Sequence, residues 1–310
     1  MGKGEGFGKV ILFNEHFVVY GLPAIASAIG ARTMARVERR DGSGVVLKDE
    51  RPETPGYKAE KLGQQKESLD LMLKFMNIDT QHNAYQITLG GDLLAASGVG
   101  ASAASCAAIA RAFSDELGFN YSDEKVNEVA FEGEKGYHGT PSGIDNTAAT
   151  YGGLIWYRRE GTSQLMERMR LREPVEIVMG NTGKVADTKI VVAGVKERKD
   201  REPERYEGLF KSADQLAREA RKQLNAYNLA KVGECMNENH RLLQEIGVSS
   251  QELDALVDLA REAGALGAKL TGGGKGGYMV ALTPGRDLQE RVAKEIGRKG
   301  FQALRTTIGI

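Results

Sequence analysis

A glycine-rich segment at residues 97–103, SGVGASA, is the first part of the chain that could bind a charged ligand. Glycines let a backbone approach a ligand closely, and this segment leads into an alanine-rich stretch that predicts a helix. The first N–H groups of a helix are unpaired and carry the positive end of its dipole, so they bind anions such as phosphate. Ser102 adds a hydroxyl for a phosphate or a metal ion. Alone, the pattern is weak, because many glycine loops before helices are structural.

The same loop fits the dinucleotide-binding pattern G-x-G-x-x-A at residues 98–103. That interpretation requires a strand immediately before the loop and an acidic residue about twenty residues later, at the end of a second strand. Here residues 90–92 separate the nearest predicted strand from the loop, and predicted helices follow it. A nicotinamide-dependent oxidoreductase is therefore the less favoured alternative. The P-loop pattern of nucleotide hydrolases is absent, since Tyr278 follows the glycine run at 272–277.

Two acidic residues, Glu132 and Glu134, lie near the end of a helix predicted to begin after Ser122. The apolar residues between 126 and 133 share one face of this helix, so Glu134 lies at the edge of that face and Glu132 points away. A carboxylate that turns towards the interior needs a partner, and a divalent cation is one. A solvated helix end is the alternative, which stays open here.

Asp145 follows a Pro-Ser-Gly turn at residues 141–143, and two roles are consistent with this position. It either caps the next helix or acts as a general base held in a glycine-framed turn. Lys9 is the only charged residue of GFGKVILF, and Glu15 and His16 interrupt two strand-like runs. A lone lysine at the start of a strand is usually a surface residue. Beside two glycine loops, however, Lys9, Glu15 and His16 would suit an anionic substrate.

The elements that position these residues are predicted from hydrophobic patterning and turn signals. Strands are predicted at residues 8–13, 16–20 and 25–39. A polar surface loop is predicted at residues 50–64, and strands and helices follow in turn through the rest of the chain. A charged stretch at residues 158–172 is interpreted as the domain junction. The pattern predicts two α+β domains, residues 1–172 and 173–310, with the active site in the cleft between them.

The composition restricts the class of protein. The chain has 310 residues, with 42 Lys+Arg against 42 Asp+Glu, so its formal net charge is zero. Nucleic acid is not an expected partner, because a basic excess supplies most of the affinity of general nucleic-acid binding. Two cysteines, Cys106 and Cys235, cannot form a disulfide framework and indicate a reducing compartment. We find no signal-peptide pattern and expect no membrane association, so a cytoplasmic enzyme is the leading class.

Taken together, these segments resemble the GHMP kinases, a family of small-molecule kinases. Three motifs occur in the family's order: GKVILFNEHFVVYGLPAIA from residue 8, SGVGASAAS from residue 97 and KLTGGGKGGYMVAL from residue 269. Two further stretches, HGTPSGIDNTAATYGG and NTGKVADTKIVVAGV, are similar to those of family members that phosphorylate mevalonate. The chain departs from the family pattern where Asn14 replaces a glycine, Ala101 replaces a serine and Lys275 interrupts the last glycine run.

The resemblance implies a two-domain GHMP kinase fold and ATP-dependent phosphorylation of the primary hydroxyl of mevalonate, a step of isoprenoid biosynthesis. It implies that Asp145 accepts or orients the hydroxyl proton, and that Lys9 keeps Asp145 ionised and stabilises the transferring phosphoryl group. Ser102 and Glu134 are the implied ligands of Mg²⁺. The implied ATP-binding residues are Ser97, Gly98, Val99, Gly100, Ala101 and Ser102. The implied contacts of the acid substrate are Glu15, Thr188 and His16, the last as a donor to its carboxylate.

The expected partners are mevalonate and ATP, and a homodimer is the assembly considered. Three alternatives stay open at this point. Another GHMP kinase, acting on phosphomevalonate or a sugar, would share the ATP-binding half. A nicotinamide-dependent oxidoreductase would show no ATP turnover, and a non-catalytic ligand sensor would bind ATP without turning it over.

Overall fold

A computed structural model describes residues 1–96, 98–161 and 163–310, without the side chains of residues 160, 163 and 164. Ser97, one of the implied ATP-binding residues, lies outside the described residues. The strands are β1 (Gly2–Phe13), β2 (Ala24–Arg40), β3 (Gly44–Asp49), β4 (Ala84–Gly91), β5 (Leu154–Glu160), β6 (Ser163–Met169), β7 (Val175–Asn181), β8 (Gly267–Thr271), β9 (Tyr278–Leu282) and β10 (Gln302–Ile308). The helices are α1 (Tyr57–Phe75), α2 (Ala101–Leu117), α3 (Asp123–His138), α4 (Ile144–Tyr151), α5 (Thr188–Arg201), α6 (Pro203–Asn225), α7 (Leu229–Glu245), α8 (Gln251–Glu262) and α9 (Arg286–Arg298), with a 3₁₀ helix at Phe17–Tyr20.

The chain divides into two compact units. The N-terminal unit consists of residues 1–9 and 30–152, and the C-terminal unit consists of residues 10–29 and 153–310. These spans differ from the domains predicted as 1–172 and 173–310. The charged stretch interpreted as a junction contains the end of β5 and all of β6, which pair in a hairpin, and it lies inside the C-terminal unit.

In the N-terminal unit, β4 lies between β3 and the second half of β2. The pairing of β4 with β3 is parallel and its pairing with β2 is antiparallel. Helix α3 packs against α1, α2 and α4. Alanines of α2 and apolar side chains of α1, α3 and β4 form the hydrophobic core of this unit.

The alternating glycines at the start of β1 have a packing role. A Cβ atom built on Gly2, Gly4 or Gly6 would come within 2.2 Å of a carbonyl oxygen of α2. Successive residues of one strand face are two apart, and these three glycines share the face that meets the helix backbone. The absence of side chains therefore lets β1 lie directly on α2, immediately before Lys9.

In the C-terminal unit, strands β10, β7, β9 and β8 follow one another in an antiparallel sheet. The first half of β2 pairs with β5, which also pairs with β6. Helices α7, α8 and α9 pack on the sheet, and α6 packs on α7. The amphipathic pattern of α6 is reproduced in its burial, since the apolar residues spaced three and four apart face the core.

Two of the predicted elements are corrected by the structure. The strand predicted at residues 25–39 is confirmed as β2, but the strand predicted at residues 16–20 is wrong, because Phe17–Tyr20 is a 3₁₀ helix. The surface loop predicted at residues 50–64 is wrong in part, since α1 begins at Tyr57 after a left-handed Gly56. In the part of the chain that is described, no helix has both the length and the apolar character required to span a bilayer.

Candidate active site

The predicted phosphate loop ends where α2 begins, in the N-terminal unit. Gly100 precedes the helix with φ = 72°, a left-handed conformation that glycine adopts without strain. A Cβ atom on Gly100 would also come within 2.5 Å of Cγ of Lys9. The N–H of Lys9 donates to the carbonyl oxygen of Val99 at 2.9 Å. A glycine at position 100 therefore allows the backbone to turn into α2 and leaves room for the Lys9 side chain.

Lys9 reaches the predicted general base. Its Nζ atom lies 3.0 Å from Oδ1 of Asp145, and the lysine side chain is 3% exposed while that of Asp145 is 26% exposed. Asp145 lies in the first turn of α4, after a left-handed Gly143. The ammonium group is therefore held beneath a carboxylate that keeps one side open to solvent.

Glu134 lies in the same part of the N-terminal unit. It is 1% exposed and lies near Ser102 and Asp145. Burial, together with the negative charge of Asp145, raises the pKa of Glu134 above its ordinary value. Glu132, by contrast, pairs with Lys135 at 2.5 Å and is 24% exposed. The predicted orientation of these two carboxylates on α3 is confirmed.

The oxygen atoms around Glu134 fit a divalent cation. Its Oε1 atom is buried and accepts no hydrogen bond from the described residues, while its Oε2 atom lies 3.6 Å from Nε2 of His138. Within the described ranges, no group of three or more His, Cys, Asp or Glu side chains is arranged to hold a metal. Mg²⁺ in phosphoryl-transfer sites needs only one or two carboxylates, because phosphate and water oxygens complete its coordination. Glu134 and Ser102 are suitable as that partial ligand set.

Two of the three residues expected to contact the acid, Glu15 and His16, lie in the C-terminal unit at a turn that begins with Asn14. Asn14 has φ = 69° and His16 has φ = 61°. Asparagine tolerates this left-handed region better than most residues, which accounts for its presence where the family pattern has glycine. Asn14 is fully buried. Its backbone N–H donates to Oδ1 of Asn239 at 3.2 Å, and Nδ2 of Asn239 donates to Oδ1 of Asn14 at 3.1 Å. The turn is therefore fixed rather than adaptable.

Glu15 is sealed inside the C-terminal unit. It is 1% exposed and forms an ion pair with Lys269, which is fully buried. The Lys269 ammonium group also donates to the carbonyl oxygens of Ile11, at 3.4 Å, and Leu270, at 2.6 Å. Glu15 thus supports the turn from within. Sequence reasoning missed the role of Lys269, although a lysine between apolar residues of a predicted strand was an available signal.

His16 differs from the predicted donor. Its Nε2–H donates to the carbonyl oxygen of Gly273 at 3.0 Å. Burial is the main reason that the pKa of His16 is lowered to about 4, and the Lys269 charge adds to this effect. The ring is therefore neutral near pH 7, and Nδ1 is an acceptor with no partner among the described residues. His16 is suited to accept a hydrogen bond from a hydroxyl rather than to donate one to a carboxylate.

Thr188 meets the same glycine run as His16. It is the first residue of α5, after Asp187, whose side chain accepts the Lys189 N–H. A Cβ atom on Gly273 would come within 2.4 Å of Oγ1 of Thr188, so the threonine lies directly on that glycine. A Cβ atom on Gly274 would come within 2.2 Å of a carbonyl oxygen. The glycine run therefore packs closely against the Thr188 side chain and the backbone of Val248.

Comparisons with known proteins agree with this arrangement. The GHMP kinase N-terminal domain matches residues 66–153, and the GHMP kinase C-terminal family matches residues 212–302. Mevalonate kinase of Pyrococcus horikoshii is 35% identical over 307 aligned residues, which cover 93% of this chain and 90% of that protein. The chain belongs to the GHMP kinases, in their mevalonate kinase branch.

Solved structures of GHMP kinases share the fold. The crystal structure of L. major mevalonate kinase in complex with R-mevalonate is 40% identical, with a TM-score of 0.95, and the match covers 99% of this chain and 96% of that one. Lactococcus lactis galactokinase, solved with galactose, is 22% identical with a TM-score of 0.76, covering 99% and 93% of the two chains. The same fold thus occurs in enzymes with different names, so the fold alone does not identify the acceptor.

Proposed function

We propose that this GHMP kinase transfers the γ-phosphoryl group of ATP to the primary hydroxyl of mevalonate. The assignment of the acceptor is supported by the relatives named mevalonate kinase and by the L. major enzyme, whose structure contains R-mevalonate. The observation that carries the chemistry is the Lys9–Asp145 pair at 3.0 Å, beside the start of α2 and the buried Glu134.

Phosphoryl transfer needs positioning and neutralisation of charge more than covalent chemistry from the protein. In our proposal the Asp145 carboxylate orients the acceptor hydroxyl and takes its proton. The Lys9 ammonium group orients that carboxylate and stabilises negative charge on the transferring group. Residues 98–102 offer the N–H groups at the start of α2 to the phosphates of ATP.

Glu134 and Ser102 are the residues that would hold Mg²⁺. When bound, the ion neutralises phosphate charge and polarises the phosphoryl oxygens. The buried and unpaired Oε1 atom of Glu134 supports this role, because a buried carboxylate oxygen without a partner is costly.

In the C-terminal unit we propose that His16 and Thr188 recognise the acid substrate. The neutral His16 ring has Nδ1 available as an acceptor, which suits the tertiary hydroxyl of mevalonate. Thr188 offers a hydroxyl that both donates and accepts. Glu15, sealed against Lys269, contributes by holding His16 in its left-handed conformation.

A coupled assay of ADP release with mevalonate, phosphomevalonate, homoserine and galactose tests the proposal. We expect kcat/KM to be highest for mevalonate by at least about tenfold, since a site that hydrogen-bonds one substrate discriminates against analogues that leave its polar groups unpaired. A preference for phosphomevalonate or a sugar would overturn the acceptor assignment and leave the ATP-binding half intact. Absence of ADP release with all four acceptors would overturn the catalytic assignment.

Two accompanying expectations are proposals of the same kind. A cytoplasmic location is supported by the two cysteines, Cys106 and Cys235, which are both unpaired and buried. The homodimer stays a prediction, which light scattering of the purified chain tests.

A further inference from the structure

The segment between β3 and α1 carries a buried arginine, Arg51, although its sequence is typical of a surface loop. Arg51 is 4% exposed, and its Nε and Nη2 atoms donate to the two carboxylate oxygens of Asp49, at 2.9 and 2.6 Å. Nη1 donates to the carbonyl oxygen of Ala101 at 3.1 Å and to Oγ1 of Thr33 at 3.3 Å. Arg51 therefore links β3 to the first residue of α2, next to Ser102.

The same segment also holds the chain that enters the phosphate loop. The N–H of Ala95 donates to the carbonyl oxygen of Pro52 at 2.8 Å, and the N–H of Thr54 donates to that of Ala95 at 3.0 Å. Lys58 closes the segment, because its Nζ atom donates to the carbonyl oxygens of Asp49, at 2.9 Å, and Arg51, at 2.5 Å. Residues 51–54 thus contact the loop at its entry, and Arg51 contacts its exit.

The choice of an ion pair at this position is informative. A buried ion pair adds little net stability compared with apolar side chains of similar size, since both charges lose their hydration. A guanidinium group is also unfavourable beside the positive end of a helix unless an anion compensates it, and Asp49 does so. The pair fixes the orientation of Arg51 instead. Its two parallel hydrogen bonds hold the plane of the guanidinium group and therefore the direction of Nη1.

From these contacts we infer that Arg51, held by Asp49, is a positioning residue for the phosphate loop, and that it sets the affinity of this enzyme for the phosphates of ATP. Its four hydrogen bonds in this network all go to protein atoms, and one of them reaches the first residue of α2, so we infer that it acts through the start of this helix. The inference rests on the proposed use of ATP, and it adds a residue that lies outside the three family motifs.

The test compares Arg51→Met with Arg111→Met. Arg111 also lies in the N-terminal unit, on α2 itself. It donates to the carbonyl oxygens of Glu5 and Thr150 and to Asp123, and none of these three hydrogen bonds goes to the phosphate loop. Dissociation constants for ATP and for adenosine are measured by competition against a fluorescent nucleotide, without mevalonate. KM for mevalonate and the unfolding temperature are measured for both variants.

We expect Arg51→Met to weaken ATP binding about tenfold, since small displacements of a preorganised site have effects of this size or larger. Adenosine binding and KM for mevalonate should stay within about twofold of the parent values, because the displaced groups face phosphate. Arg111→Met should lower the unfolding temperature without changing the ratio of ATP to adenosine affinity. If Arg51→Met does not fold, Arg51→Lys carries the test, because lysine keeps the charge beside Asp49 and loses the paired hydrogen bonds.

Equal weakening of ATP and adenosine, or unchanged ATP affinity in a folded Arg51 variant, would overturn the inference and leave Arg51 with a structural role. Failure of the proposed function looks different. In that case the parent enzyme itself releases no ADP with any acceptor, whatever the behaviour of the Arg51 variants.

Discussion

Each unit contains a buried lysine paired with a carboxylate, and the two pairs differ in their access to solvent. In the N-terminal unit, Lys9 is 3% exposed, but its partner Asp145 is 26% exposed. In the C-terminal unit, Lys269 is 0% exposed and its partner Glu15 is 1% exposed. The Lys269 ammonium group also contacts two carbonyl oxygens of its own unit, which leaves it no donor for a ligand.

The difference separates a reactive pair from an architectural one. A carboxylate that is open on one side can exchange protons and hydrogen-bond a substrate, while the lysine beneath it holds it in place. A fully enclosed ion pair such as Lys269–Glu15 can neither exchange protons with solvent nor contact a substrate, so its role is to fix the backbone around it. Residue types alone do not distinguish the two pairs, because both consist of a lysine and an acid next to a glycine loop.

The largest expected effect comes from breaking the sealed pair. Lys269→Met should lower the free energy of unfolding by about 3–5 kcal/mol, because it leaves the Glu15 charge buried without compensation. Adding Glu15→Gln to that variant should restore part of the loss, since the uncompensated charge is then removed. Chemical denaturation measures both. A loss below about 1 kcal/mol for Lys269→Met would mean that Glu15 reaches solvent and that the contrast between the pairs is wrong.

A substitution in the solvent-accessible Lys9–Asp145 pair should reduce the catalytic rate. Asp145→Asn keeps the shape of the side chain but removes the proton acceptor, so kcat should fall at least about 10²-fold while the dissociation constant for ATP changes little. Asp123→Asn is the matched control, because Asp123 pairs with Arg111 at 2.7 Å on the surface of the same unit. Steady-state kinetics decide the matter, and a value of kcat within threefold of the parent would contradict the assignment of Asp145.

The two glutamates of α3 test the limit of this contrast, because here the buried carboxylate, Glu134, has an oxygen without a hydrogen-bond partner and is the proposed metal ligand. Glu134→Gln should raise the Mg²⁺ concentration for half-maximal rate by about tenfold, the low end for a lost metal partner. It should not lower stability, because burial disfavours the Glu134 charge. Glu132→Gln, which removes only a partly exposed pair with Lys135, should leave the Mg²⁺ requirement unchanged. Equal responses of the two variants would argue against Glu134 as the ligand.

The sequence allowed some of these environments to be predicted and not others. The orientation of Glu134 follows from the 3.6-residue period of α3, which is a local property of the chain. Asp145 and Lys9 were found because glycines frame them in short motifs. In these cases a few neighbouring residues determine the environment of the side chain.

The environments that were missed depend on residues far away in the chain. Arg51 lies in a segment rich in proline and charge, which is locally typical of a loop, and its burial results from contacts with Thr33 and Ala101. Lys269 is buried by an ion pair with Glu15, 254 residues away. The strand expected at residues 16–20 failed because left-handed Asn14 and His16 redirect the backbone, against the strand propensity of Val and Phe.

The smallest expected effect concerns the acceptor and tests whether the C-terminal unit contributes more than architecture. Thr188→Val keeps the volume of the side chain and its branched shape but removes the hydroxyl, so its packing on Gly273 should persist. Because Thr188 is only partly buried, loss of its hydroxyl should reduce kcat/KM for mevalonate by about 1 kcal/mol, roughly fivefold, with ATP binding unaffected.

Thr283→Val is the control, since Thr283 is buried in the same unit and donates to the carbonyl oxygen of Glu176 at 3.2 Å. It should reduce stability without changing kcat/KM. If Thr188→Val leaves the kinetics with mevalonate intact, Thr188 is a packing residue of α5, and recognition of the acid must be sought elsewhere in the C-terminal unit, starting with His16.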